Sequence, residues 1–286
     1  MDILSDISDH LSRQALAFYL GPDVTAITAN QWTPVSIKGL ADFFGKKVAL
    51  PKRAKGNPWA AAQYIESRRH RKTLTAIMNA AFENPVLPSP LHQLIAALHP
   101  PLIVDSWYDG AMRQALSQDK TLNWGEIQGI NHAAINEYRW FTAYDATGEE
   151  VPMESVKEWQ TLLYKPHGSV SPHQNYLISD SDYVEVLTEI DIQTPIPESV
   201  QERRSSCSFL FIGCHFDDQM LRSFARQIIK RSKAPHFALV DIENLTRNER
   251  RFLEEMQIIA LPLSLKKIAD FLSDYLSSTL PERRAE

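Results

Sequence analysis

A histidine followed by glycine closes the apolar run Leu162–Lys165, in the segment Tyr164-Lys165-Pro166-His167-Gly168-Ser169. An imidazole titrates near neutral pH, so His167 can take or give a proton there. Gly168 allows a backbone turn that other residues resist. A structural role is the alternative for His167, as a side chain hydrogen-bonded at a strand end. Asp109 is the second candidate. It ends Ser106-Trp107-Tyr108-Asp109, directly after the apolar run Leu102-Ile103-Val104. Three more apolar runs end in small or polar residues: Gly21-Pro22-Asp23, Gly213-Cys214-His215-Phe216-Asp217 and Asp241-Ile242-Glu243-Asn244. Turn formation and helix capping would also account for these types.

The elements that must position these residues follow from periodicity. Short apolar runs at Ala15–Leu20, Pro101–Asp105, Leu162–Lys165, Ser208–Gly213, His236–Val240 and Ile258–Leu261 predict buried strands. Helical spacing predicts helices over Ile3–Ala15, Ile37–Phe44, Pro58–Arg69, Leu74–Phe82, Pro90–Leu98 and Ala111–Leu116. Further helices are expected over Asp180–Leu187, Gln219–Arg231, Arg247–Met256 and Leu265–Leu276. Strand and helix alternate, so the expected class is α/β with a mostly parallel, Rossmann-like sheet and a smaller inserted helical module. One domain over residues 1–278 is expected, with the helical insertion at about 26–100. An irregular insertion is expected at about 118–160, with Arg139–Tyr144 as a candidate strand in it. A proline bend is expected at Thr194–Pro197, and a flexible tail at 279–286. In such sheets ligands bind beyond the carboxyl ends of the strands, where all the candidate residues lie.

Composition narrows the function classes. The 286 residues include 44% hydrophobic ones, enough for a full core. Thirty Lys and Arg against 35 Asp and Glu give a net charge of −5, which argues against a general nucleic-acid binder. A local basic run, Arg68-Arg69-His70-Arg71-Lys72, reads as a solvated helix end or as a contact for phosphate or an acidic partner. The acidic stretch Leu177–Pro197 carries Asp180, Asp182, Glu185, Glu189 and Asp191, and reads as a solvated face or a partner surface. Cys207 and Cys214 are too few for a four-cysteine zinc site, and a buried reduced pair fits the cytoplasm. No bound metal is expected. The acidic N-terminus is unlike a signal peptide, and no apolar run reaches membrane-spanning length.

The order of these segments resembles the SIR2-like family, the bacterial relatives of sirtuins. Lys165-Pro166-His167-Gly168-Ser169 and Phe209–Gly213, with Asp217-Asp218, carry most of the likeness. The resemblance implies a Rossmann-like domain that binds NAD or a related adenine nucleotide. In the zinc-less branch it commonly implies cleavage of NAD to nicotinamide and an ADP-ribose product, in many members as bacterial defence. It further implies His167 as general base or ribose partner, and Asp109, Trp107 and Tyr108 beside the nicotinamide, next to Ser106. Gly21 and Thr25 would stand at the phosphates. Gly168 would follow the catalytic histidine. Gly213, Cys214 and Asp217 would touch the pyrophosphate or adenosine ribose, and Asp241 and Asn244 would hold the adenosine end.

Three residues depart from the family pattern. Pro22 has no amide hydrogen to offer a phosphate. Asp23 brings a negative charge beside one. Trp107 stands where the family has an asparagine, whose paired donor and acceptor an indole lacks. Two function classes follow. One is an NAD glycohydrolase. The other is a catalytically degenerate module acting as a nucleotide sensor or as a scaffold for a protein partner or a homo-oligomer.

Overall fold

In the computed structural model, described for residues 3–30, 32–130, 139–189 and 196–283, a nine-stranded sheet divides two layers of helices. The chain begins with α1 (Ile3–Ser12), β1 (Leu16–Leu20), α2 (Pro22–Ala26), α3 (Ile37–Lys47), α4 (Pro58–Ala81) and α5 (Pro90–Ala97). It continues through β2 (Leu102–Asp105), α6 (Ala111–Leu116), β3 (Trp124–Gly129), β4 (Phe141–Asp145), β5 (Glu150–Val151) and β6 (Thr161–Lys165). Next come the small hairpin β7 (Gly168–Ser169) and β8 (Asn175–Tyr176), then α7 (Asp180–Glu189) and α8 (Glu198–Ser205). The last units are β9 (Ser208–Ile212), α9 (Gln219–Ile229), β10 (His236–Leu239), α10 (Arg247–Glu255), β11 (Ile258–Leu261) and α11 (Leu265–Arg283).

The strand order is β11-β10-β9-β1-β2-β6-β3-β4-β5. The pairs from β11 to β3 are parallel, and β4 and β5 add antiparallel to the edge. β1 is central: it was laid down first, β2 pairs on one side and the late strand β9 on the other. That reversal of direction is the switch point where an open α/β sheet leaves a crevice. Alternate β1 residues serve opposite faces. Ala17 and Tyr19 join the core under α3, α4 and α9, whereas Leu16, Phe18 and Leu20 join the core under α1, α5, α6 and α11.

Several expectations needed correction. The expected turn at Gly21-Pro22-Asp23 opens directly into α2, with proline in the first helical turn, where its missing amide costs nothing. Within the span 118–160, expected to be irregular, the described residues supply β3, β4 and β5 to the main sheet, β4 being the candidate strand at Arg139–Tyr144. Within β3, Glu126 and Gln128 are buried, which broke the apolar pattern. Arg113 bridges to Glu126 at 3.0 Å, and Gln128 donates to Glu126 and to the Ser171 carbonyl. The two helices expected on either side of His70 are both present within α4, meeting at His70, whose backbone is non-helical at φ 68°. The N-terminal helix stops at Ser12, before Gln14 at φ 51°. The final helix continues to Arg283 rather than fraying from 279. Of the bend at Thr194–Pro197, the first two residues lie outside the described residues, and Pro197 precedes α8, a helix the pattern missed.

Asp182 is also not a solvated acid. It accepts from the Ile178 and Ser179 amides and pairs with Arg71 at 2.8 Å, tying α4 to α7. Asp191 lies outside the described residues. No described helix is long and apolar enough to cross a membrane.

Candidate functional site

The switch point is closed by two glycines. A Cβ on Gly21 would sit 2.1 Å from the Gly213 carbonyl oxygen, so only glycine allows the two turns to meet. Gly213 itself is left-handed, at φ 68°, and faces Val24 and Asp23. Their amides are already spent: Gly21 N–H donates to the Ile212 carbonyl and Asp23 N–H to the Gly213 carbonyl. Pro22 has no amide hydrogen. The β1 turn therefore presents no row of spare amides to a phosphate.

Beneath it lies a buried ionic network. Lys165, at the end of β6, donates to the Asp105 carboxylate at 2.7 Å and to the Asp109 carbonyl at 2.7 Å. Lys165 is only 2% exposed. Burial pushes the Asp105 carboxyl up to about 6, with the Lys165 charge opposing. Asp109 accepts from the Thr25 hydroxyl at 2.6 Å and from the Ala111 amide at 2.8 Å. It thus joins α2 to the start of α6, and both Asp109 and Thr25 are committed to each other. His92 stands nearby within the field of Asp109 and Lys165; burial lowers its pKa to about 4. This network fixes the loop from Ser106 to Asp109.

That loop fills the crevice. Ser106 donates to the Leu20 carbonyl through both its amide and its hydroxyl. Trp107 donates its indole N–H to the Pro34 carbonyl at 3.0 Å and packs edge-on against Phe82. Tyr108 donates to the Leu177 carbonyl and meets the Tyr183 hydroxyl at 3.3 Å.

His167 lies behind these rings. Tyr108, Tyr183 and Phe224 surround it, the nearest ring centroid at 4.6 Å. Neither ring nitrogen has a hydrogen-bond partner among the described residues. Burial, with a contribution from the Lys165 charge, drives the pKa down to about 3, so the ring is neutral. Gly168 serves the hairpin: it sits at φ 75°, and a Cβ there would strike the Asn175 carbonyl at 2.1 Å.

Two clefts open at the strand ends. The inner one is tight, with a cavity of only about 30 Å³, and its walls include Tyr19, Ser106, Trp107, Tyr108 and Cys214. It is mostly apolar. The outer cleft, about 830 Å³, lies over the ends of β9, β10 and β11 and carries Asp241 and Asn244. Asp23 Oδ1 lies 2.9 Å from His215 Nε2, across the junction of the two clefts. That hydrogen bond raises the His215 pKa above its ordinary value. Cys214 borders both clefts; burial pushes its thiol up, making it a poor nucleophile. Cys207 is buried and both cysteines are free thiols.

Polar side chains line the outer cleft. Asp241 accepts from the Asn244 side chain at 2.7 Å and is solvent-exposed, leaving acceptor capacity facing outward. Asp217 is exposed as well, whereas Asp218 is the residue that caps α9.

The structure thus gathers Gly21, Ser106, Trp107, Tyr108 and Cys214 at one crevice, and Gly213, Cys214, Asp241 and Asn244 at the other. It sets Thr25, Asp109, His167 and Gly168 in the packed layer beneath. Tyr183, Phe224 and the pairing of Lys165 with Asp105 were not anticipated; Lys165 and Asp105 stand sixty residues apart, and no local pattern links them. A dinucleotide fits this arrangement unevenly. Asp241 and Asn244 suit an adenosine ribose, while the spent amides of the β1 turn, the Asp23 carboxylate and the seated Trp107 do not suit a pyrophosphate and nicotinamide. Among the described residues no cluster of three or more His, Cys, Asp or Glu could hold a metal.

A largely parallel sheet with helices on both faces and a crevice at the switch point defines a Rossmann-like α/β protein. The SIR2-like domain family model matches residues 101–261, more than half of the chain, and the chain belongs to that family. No curated protein matches it.

Proposed function

We propose that the chain is a nucleotide-responsive SIR2-like module that binds NAD or a related adenine nucleotide through the outer cleft and turns over NAD poorly. The carrying observation is the junction of the two clefts at the β1/β9 switch point, with Asp241 and Asn244 on the outer wall. An acid beyond a strand end is a natural acceptor for ribose hydroxyls. Membership of the family supports an NAD-related ligand. Sealing of His167 behind Tyr108, Tyr183 and Phe224 speaks for weak turnover.

One observation favours the competing reading, NAD hydrolysis. Two unpartnered ring nitrogens in a buried site cost roughly 1–3 kcal/mol each. A neutral imidazole has a free acceptor nitrogen for a ribose hydroxyl proton, and it becomes an effective base only when opening of the ring shell relieves the burial that holds its pKa down. Displacement of Tyr183 and Phe224 would be needed to use it.

One experiment separates the two. Purified protein is incubated with NAD, nicotinamide release is followed, and melting temperature is recorded with NAD, ADP-ribose and AMP. At a hundredfold excess over Kd, binding should add about 2.7 kcal/mol. Binding without release supports the sensor. Release that disappears in His167→Ala replaces it with the hydrolase. No melting shift with any adenine nucleotide overturns the proposal.

A further inference from the structure

The helical module between β1 and β2 has a charge balance unlike the rest of the chain. From Ile37 to Lys72 there are ten Lys and Arg against Asp42 and Glu66, a net of +8. With −5 overall, the remaining residues carry −13. Of the ten cations Arg71 is ion-paired, with Glu66 and Asp182, and Lys47 lies over the Phe43 ring. The nine besides Arg71 are exposed, and none forms an ion pair among the described residues.

Geometry concentrates part of this charge. Lys46 and Lys47 end α3, and Lys52, Arg53 and Lys55 follow in the turn that packs on α4. The α4 kink at His70 falls inside the run Arg68, Arg69, Lys72. Arg53 and Arg68 both line an open groove of about 550 Å³ that also carries Tyr64, Gln63 and Ser67. Asp180 is the acid there, and burial raises its pKa. A groove with arginines, an aromatic ring and polar side chains has the chemistry of a single-stranded polyanion site. The cations meet phosphates, and Tyr64, half-buried against the core, adds the exposed part of its side chain to the wall.

We propose that this module binds the sugar–phosphate backbone of single-stranded nucleic acid, with Arg53, Arg68, Arg69 and Lys72 as the principal phosphate contacts. The acidic remainder of the chain would keep the strand off the nucleotide crevice. Net charge alone argues against such binding, and the local density reverses that argument.

The test uses the full chain and a fluorescein-labelled 20-nucleotide single strand, read by anisotropy between 50 and 200 mM salt. Four phosphate contacts give a slope of log K against log salt of about −3. Two variants with the same net charge are compared. R53E/R68E/R69E/K72E should weaken binding at least tenfold. K120E/K157E/K266E/K267E, four exposed lysines elsewhere, should change it less than threefold. Melting temperature checks that both variants fold. No binding at 50 mM salt, or an equal loss in the two variants, overturns the proposal. So does binding to phosphatidylserine vesicles without binding to the oligonucleotide, which would make the patch a membrane contact.

Discussion

Replacing Lys165 with methionine removes a buried cation while roughly keeping its volume. The Asp105 carboxylate then loses its 2.7 Å partner, and the Asp109 carbonyl loses a donor. Breaking one side of a buried pair costs about 3–5 kcal/mol, or roughly 6–20 °C of melting temperature in a chain of this size. The pH dependence is distinctive. In the folded protein Asp105 titrates near 6, above its unfolded value of 3.8. As pH rises from 3.8 to about 6, the unfolded chain gives up this proton before the folded one does. The group therefore favours folding at low pH and loses that contribution on the way to 6. Without Lys165 the folded pKa moves higher still, so the deficit of Lys165→Met should be largest near neutral pH and shrink toward pH 4. Calorimetric melts of Lys165→Met, Asp105→Asn and the double variant would decide this. The double variant should recover more than 1 kcal/mol relative to additivity, about the size seen between coupled neighbours. Additive losses, or a Lys165→Met deficit that does not vary with pH, would refute the network as drawn.

Three further predictions concern the crevice. Gly21→Ala should destabilise by about 2–4 kcal/mol, because its Cβ meets backbone that cannot rotate away; a change below 0.5 kcal/mol in denaturant melts would contradict the interlock. His167→Leu should be neutral or stabilising by about 1 kcal/mol, since it removes two unpartnered nitrogens. It should also abolish the part of the acid-side stability loss that arises as the unfolded histidine, at 6.5, takes up a proton the folded one refuses down to about 3. A pH series of melts tests both points. Asp23→Asn should tighten adenine-nucleotide binding several-fold in titration calorimetry while changing stability by less than about 1 kcal/mol, the usual worth of an exposed pair.

The strands that flank the crevice were legible because each is a short, nearly continuous apolar run, the mark of a parallel strand covered on both faces. β3 was not, because Glu126 and Gln128 occupy core positions, where Arg113 pairs with Glu126 and the Gln128 amide N–H donates to Glu126 and the Ser171 carbonyl. α8 was missed because its anchoring is polar: Arg203 donates to the carbonyls of Pro101, Val156 and Trp159, and Arg204 to those of Gln227 and Ile228. For the site, strand-end placement was readable but burial was not. Whether His167, Thr25 and Asp109 face solvent or one another depends on Tyr183, Phe224 and Lys165, which come from distant parts of the chain.

The pairing of β1 with β9 has a consequence for synthesis. β2 can cover one edge of β1 early, but Leu16 meets its other partner, Ser208, only when about 190 further residues have been made. At ribosomal rates that is about 10–40 s with an apolar strand edge uncovered. The two glycines that later seal this edge can do nothing until then. The nascent chain is therefore most in need of a chaperone over that interval, and slowing translation just before Ser208 would lengthen it.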